Sequence, residues 1–371
     1  MIKIELAPKG DFARGFGAFR DGRSAYYIQQ NRGKKSVCVD AKKPAGIEIL
    51  RALVPKVDVL VENFAPGAIG RMGLGWEDVR KLNPKIVMCS ISAFGQTGPL
   101  SANPGFDYIA QAYAGVTHMI GDPDTAPALP MLGLGDVSTG THAMGAVVAA
   151  LLHRERFGEG QYLDIAILDS YFHCHEMNVQ MYSATKGTVD PKRSGTQHTL
   201  VSPCGVFRGK QGYLVIIAVL DHQWLALCRT MGRPELATDP RFATNAARVE
   251  HRGEVVRLIE EWLATTESDA AALAALQESH IPVAPVLSIG QAIAHPHLRE
   301  RGTVRTITDR IFGEVEVPGF PLRFSAFPER LPLDAALLGE HNGEVLSQFL
   351  GYSQEQIRAL ETQGVLQSGD R

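Results

Sequence analysis

The feature that most constrains this chain is the alternation, over its first 170 residues, of short apolar runs with helix-like segments. Met1-Ile-Lys-Ile-Glu5 alternates as a strand does. Ser36-Val-Cys-Val-Asp40, Val57-Asp-Val-Leu-Val61, Ile86-Val-Met-Cys-Ser-Ile91 and Tyr162-Leu-Asp-Ile-Ala-Ile167 are further strand candidates. Between them, 44–53 opens on a proline suited to a first helical turn, and another helix ends at Leu82 to Pro84. The stretch 139–156 reads as a long amphipathic to apolar helix. Ser138 or Thr139 can cap it, Arg154 and Arg156 suit its C-terminal dipole, and Gly158 and Gly160 stop it. Strands alternating with helices require crossover connections, so the expected architecture is α/β with a parallel sheet.

The intervening segment 14–32 reads as loop, 170–184 as helix and 185–203 as a polar linker. From Gly205 the texture changes. Residues 206–207 and 213–219 form a hairpin around Gly209 to Gly212, followed by helices at 222–231, 253–265 and 267–279. A short strand at 283–286, a hairpin-like stretch at 313–324 and a terminal helix at 353–363 complete an α+β second half.

With 371 residues, 45% hydrophobic and 21% charged, the chain has ordinary globular composition and length enough for two domains. A net charge of −3 argues against a nucleic-acid coat protein, so an anionic ligand must be met by a local basic patch. Five widely spaced cysteines without a CxxC pair favour neither a disulfide framework nor structural zinc, and fit a reducing cytoplasm. Lys3, Glu5, Lys9 and Asp11 interrupt any signal-peptide core. The apolar stretch 143–152 is too short to span a bilayer.

Several residues are candidates for chemistry. Asp169 falls where a strand passes into a helix, the edge of a parallel sheet at which ligands bind. Spacing alone also allows an N-cap there and favours it. Asp164, inside the strand, fits a polar edge or a basic partner better than half of a catalytic pair. Asp136 lies in the Gly-rich run Gly133-Leu-Gly-Asp-Val-Ser-Thr-Gly140, which matches neither GxGxxG nor the P-loop pattern; a turn with a cap is the default. Arg32, Lys34, Lys35, Lys42 and Lys43, with Arg71 further on, could hold phosphates or form a solvated face. His173-Cys-His175 has the wrong spacing for a shared site on a helix, and His295 and His297 have no nearby carboxylate or Cys partner in sequence. No metal site is expected. The hydrolase signature GxSxG is absent.

Taken together, Val61-Glu-Asn-Phe-Ala-Pro-Gly67, Arg71-Met-Gly73, Leu82-Asn-Pro84 and Ser92-Ala-Phe-Gly-Gln-Thr-Gly-Pro99 resemble the family III CoA-transferases, the CaiB/BaiF family. Asn31-Arg-Gly-Lys-Lys-Ser36, Gly158-Glu-Gly-Gln161 and Leu338-Gly-Glu-His341 extend the likeness from residue 1 to about 366. The resemblance implies a Rossmann-like large domain over 1–200, a smaller α+β domain over 201–325, and a segment 326–371 returning to the large domain. It also implies an interlocked homodimer. The activity implied is transfer of CoA from an acyl-CoA to a small carboxylic acid. No permanently bound cofactor is implied, and CoA thioester serves as substrate.

By the same resemblance Asp169 is the nucleophile, which overturns the capping preference. CoA contacts fall on Asn63, Phe64 and Arg71, with Val39 and Lys42 near the nucleotide end. Tyr108, Gln111, His118 and Met119 lie close to matched motifs and are candidate pocket residues. The family carries a further strand and helix ahead of the strand matched by Ile2-Lys-Ile-Glu5. That unit holds part of the CoA site and is expected to be missing, and Leu6 stands where a basic residue is common. No glycine run occurs near Val219-Leu-Asp-His222, which argues against formyl-CoA and oxalate as substrates. An acyl-CoA racemase is the first alternative. Its His–Asp pair would fall on Phe106 and Asp136, and phenylalanine cannot move a proton. A non-catalytic CoA-binding protein is the second.

Overall fold

Five parallel strands carry the first half of the chain, in the computed structural model that describes residues 1–327 and 334–369. Ile2–Leu6 pairs with Lys35–Val39, and Val59–Glu62, Val87–Ser92 and Gln161–Ala166 form a second sheet with Val87–Ser92 in the centre. Parallel neighbours need crossovers, and the helices Ala25–Asn31, Trp76–Leu82 and Leu134–Phe157 supply them. Val37, Val39, Ile49, Leu53, Val79, Ile86 and Met88 make the core between strands and helices. Val345, Leu346, Ile357 and Leu366 from the tail complete it. The expected α/β architecture with a parallel sheet is therefore present.

By contacts the chain divides into two units. One consists of Met1–Ala110, Gly133–Ser170 and Ala292–Arg371, and the other of Gln111–Leu132 and Tyr171–Gln291. These limits differ from the expected divisions at 200 and 325. Segments 111–132 and 171–200 hold each other: Gln111 donates to the Tyr171 hydroxyl, His175 to Ala114 O, and Arg193 to Asp122 O. The hairpin of Val304–Asp309 and Gly313–Pro318 belongs to the first unit because Asp309 pairs with Arg23. Residues 328–333 of the expected returning segment lie outside the described residues.

The second unit contains an antiparallel sheet in the order Val283–Pro285, Tyr213–Ile217, Cys204–Arg208. Its helices Asp221–Thr230, Arg252–Thr265 and Asp269–Glu278 share one core of Phe207, Ile216, Trp224, Leu227, Ile259 and Leu276. The Asp269 carboxylate accepts the Lys210 and Gln211 N–H groups and so closes the hairpin turn.

Four local expectations need correction. The 14–32 loop contains a helix, Ala25–Asn31, capped by the Ser24 hydroxyl accepting the Tyr27 N–H at 3.0 Å. Its apolar face, Tyr27 and Ile28, packs on Phe312 and Ala335, so the stabilising partners are remote in sequence. The long helix starts at Leu134 rather than 139, because the Asp107 carboxylate accepts the Asp136 N–H at 3.1 Å and caps it from another element. The helix at 170–184 is two helices, Ile167–His173 and Asn178–Ala184; His175 holds the break by bonding Ala114 O and Asn178. The strand Val304–Asp309 and the helix Asn342–Leu350 were not anticipated.

Candidate active site at the carboxyl edge of the sheet

Because Val59–Glu62, Val87–Ser92 and Gln161–Ala166 run parallel, their last residues lie on one edge. Open parallel sheets bind ligands at that edge, since the loops leave from it together. Here the three exits are Asn63–Phe64, Ala93 to Pro99, and the start of Ile167–His173. The Leu168 N–H donates to Ala93 O at 3.0 Å, tying the third exit to the second.

Asp169 is in the first turn of Ile167–His173, inside the helix rather than at its cap. Its side chain is exposed, and it has no hydrogen-bond or ion-pair partner among the described residues. A carboxylate so placed is free to meet an electrophile.

The other expected site residues differ in what they offer. Asn63 is exposed and Phe64 half-buried, and both follow the buried Glu62. Arg71 ends the short helix Ala68–Arg71, and its guanidinium folds back over Gly67. Val39 is fully buried in the core against Gly46. Its side chain offers no surface to an adenine or pantetheine in this structure, and its backbone is already paired, Val39 O accepting the Ala7 N–H at 3.0 Å and the residue bridging Leu366 on its other side.

The basic cluster separates into braces and free charges. Arg32 donates to Gln29 O and Pro318 O, and Lys34 to Asn31. Lys35 pairs with Glu344, and Lys43 donates to Gln363 O and Gly364 O. Lys42 and Arg71 keep side-chain cations without a partner among the described residues.

Two carboxylates at this edge escaped the sequence reading as loop anchors. Glu62 accepts the Phe64 N–H at 2.8 Å. Asp164 accepts the Gln96 N–H at 3.1 and 3.0 Å with its two oxygens, so of the expected polar edge or basic partner it meets a polar backbone group. Glu62–Ser90–Asp164 register across the sheet is the signal that could have found them.

Elsewhere, burial and then the neighbouring Asp107 carboxylate push the Asp136 carboxyl up. Phe106 is 81% exposed and carries no acid–base group. Gln111 is buried, bonded to Tyr171 and Thr117, and is structural rather than pocket-lining. Burial pushes the Cys38 and Cys89 thiols up to about 11 and Cys228 to about 12, which keeps them protonated and inert. Among the described residues no group of three or more His, Cys, Asp or Glu could hold a metal ion, and no helix is long and apolar enough to cross a membrane.

The sequence matches the model of CoA-transferase family III over residues 1–342. It is 36% identical over 368 residues to succinyl-CoA:glutarate CoA-transferase of Mus musculus, spanning 99% of this chain and 84% of that protein. It is 34% identical over 368 residues to succinyl-CoA–D-citramalate CoA-transferase of Chloroflexus aurantiacus, spanning 99% and 91%. The crystal structure of a CAIB/BAIF family protein from Brucella suis superposes with a TM-score of 0.81 at 32% identity, covering 94% of this chain and 91% of that one. With likenesses running almost end to end, the chain belongs to CoA-transferase family III and is a CoA-transferase.

Proposed function

We propose that Asp169 is the nucleophile of an acyl-CoA:carboxylate CoA-transferase, and that succinyl-CoA and a short dicarboxylic acid are its first substrates to try. The supporting observation is the exposed, unengaged Asp169 carboxylate at the carboxyl edge, joined through Leu168 to the loop at Ala93. The substrate class follows the names of the relatives, which act on succinyl-CoA with glutarate or D-citramalate.

The chemistry needs no proton transfer. The Asp169 carboxylate attacks the thioester carbonyl, the C–S bond breaks, and CoA thiolate leaves a mixed anhydride. The thiolate attacks the aspartyl carbonyl, releasing the donor acid and leaving an aspartyl-CoA thioester. The acceptor carboxylate attacks that thioester and expels the thiolate again, forming a second anhydride. Attack of the thiolate on the acceptor carbonyl yields the new acyl-CoA and frees Asp169. Each addition makes an oxyanion, which backbone N–H groups near the glycine-rich turns would stabilise.

In this reading Asn63 and Phe64 contact the pantetheine arm, Arg71 and Lys42 meet phosphates, and Val39 supports the nucleotide end from within the core. An interlocked homodimer is the working assembly. Support comes from the helix Leu134–Phe157, whose Val137, Val148, Leu152 and Phe157 are all more than half exposed.

The test is peptide mass spectrometry after incubation with succinyl-CoA, with and without hydroxylamine. The expected result is a hydroxamate on the peptide carrying Asp169; trapping on another carboxylate would overturn the assignment. Arg71→Ala is expected to raise the KM for acyl-CoA about tenfold while kcat holds, as loss of a phosphate contact predicts. Steady-state kinetics with varied acyl-CoA checks it, and a fall in kcat at constant KM would exclude the phosphate role.

A further inference from the structure

Glu62, Ser90 and Asp164 are in register on adjacent strands, so their side chains stand on one face of the sheet. Two strand spacings separate the carboxylates, about 10 Å. The Ser90 hydroxyl beside the Tyr162 phenol lies between them. Neither carboxylate has an ion-pair partner among the described residues. Instead, each takes a backbone N–H of a loop leaving the carboxyl edge: Glu62 that of Phe64, Asp164 that of Gln96. Glu62 is 7% exposed, so its carboxyl is buried against that bond rather than against water.

We infer that Glu62 and Asp164 are positioning residues of the transferase, a pair of carboxylates that hold the two loops framing Asp169. This rests on the nucleophile reading above and says how its surroundings are kept in place. The loop held by Asp164 turns through Gly95, at φ +84°, between Ala93 and Gln96. Ala93 O in turn accepts the Leu168 N–H, one residue from Asp169. One chain of contacts thus runs from the Asp164 carboxylate through the 93–96 turn to the start of the nucleophile's helix. Glu62 acts on the other exit, fixing the amide that follows Asn63. An acid–base role fits poorly, because the exchange moves carboxylates and thiolates but no protons. A charged acceptor makes a stronger bond to an N–H than a neutral one, and the neutral amide keeps the same geometry.

The experiment compares Asp164→Asn with Asp164→Ala, and Glu62→Gln with Glu62→Ala. It reads kcat, the KM for succinyl-CoA, hydroxylamine trapping at Asp169 and hydrogen exchange of the peptide over 93–99. Asp164→Ala is expected to lower kcat about 100-fold, the scale of a nucleophile displaced by about 1 Å, and to speed exchange in that peptide. Asp164→Asn should stay within about fivefold of the parent in kcat with the peptide still protected, because its amide oxygen accepts the same N–H. Glu62→Ala should raise the KM about tenfold and Glu62→Gln restore it. An Asn variant as slow as the Ala variant would show that the charge itself does the chemistry and overturn positioning. So would an Ala variant within twofold of the parent. The Glu62 pair applies the same comparison independently if Asp164→Ala loses its cooperative melt. Absence of any Asp169 hydroxamate in the parent enzyme would instead sink the nucleophile reading, a different failure from either of these.

Discussion

Asp169→Ala is expected to abolish CoA exchange, by about 10⁴-fold or more, while the protein melts within about 2 °C of the parent. A loss of this size follows from the proposed mechanism, in which the carboxylate is the group that becomes covalently bonded and nothing nearby replaces it. The stability is spared because the side chain is exposed and bonded to no described residue. Asp169→Asn is isosteric and should be equally inactive, since a carboxamide is a poor nucleophile toward a thioester. The measurement is acyl-CoA exchange followed by chromatography, with a thermal melt on the same preparation. A variant that exchanges at more than a hundredth of the parent rate would show that the nucleophile lies elsewhere.

The second large effect is on stability. Glu5, on the first strand, is 2% exposed and accepts from Arg14 at 2.7 Å with each oxygen, from Ser36 at 2.6 Å and from the Asp11 N–H at 3.0 Å. The Tyr27 hydroxyl also donates to it, and the Arg14 guanidinium lies 3.8 Å over the Tyr27 ring. Removing one member of a buried, hydrogen-bonded charge pair costs about 3–5 kcal/mol, because the other charge stays buried alone. Glu5→Ala should therefore lower the melting temperature by about 10 °C, read by calorimetry at neutral pH.

Burial alone pushes the Glu5 carboxyl up, but the Arg14 bonds, with Ser36 and the Asp11 N–H, outweigh it and hold the group at about 2. A carboxyl held below its unfolded value stabilises the fold above that value and loses the contribution as the proton binds. Some 3 kcal/mol, about the free energy of a shift of this size, should thus be present above pH ~4.5 and lost as pH falls toward ~2. Glu5→Gln removes that part of the acid dependence. Parallel stability curves for parent and Gln variant between pH 5 and 2 would contradict it.

Much of the framework is legible from short-range pattern. The strands at 35–39, 59–62 and 87–92 announce themselves by apolar runs, as strands buried in a parallel sheet do, and those at 2–6 and 161–166 by apolar and polar residues interleaved. Pro44 and Gly158 mark helix ends through their own backbone preferences; Gly158 adopts φ +82° and donates to Arg154 O. Asp169 is visible as a carboxylate at a strand–helix junction, although spacing alone could not separate cap from nucleophile. The helix Ala25–Asn31 is hidden because Phe312 and Ala335, which bury its face, arrive from the other end of the chain. The start of Leu134–Phe157 is hidden for the same reason, its capping carboxylate being Asp107.

The sequence by itself determined the family, the parallel α/β framework and the identity of the candidate nucleophile. All three are carried by residue types at short, ordered spacings. The tertiary structure alone decided what each charged side chain is engaged with. It turned Arg32, Lys34, Lys35 and Lys43 into braces, left the Lys42 and Arg71 cations without a partner among the described residues, buried Val39 and gave Glu62 and Asp164 their loops. A cation or carboxylate looks the same in a sequence whether it meets solvent, a carbonyl or a substrate. Its role is fixed by partners that folding brings within about 3 Å, and these lie up to some 300 residues away.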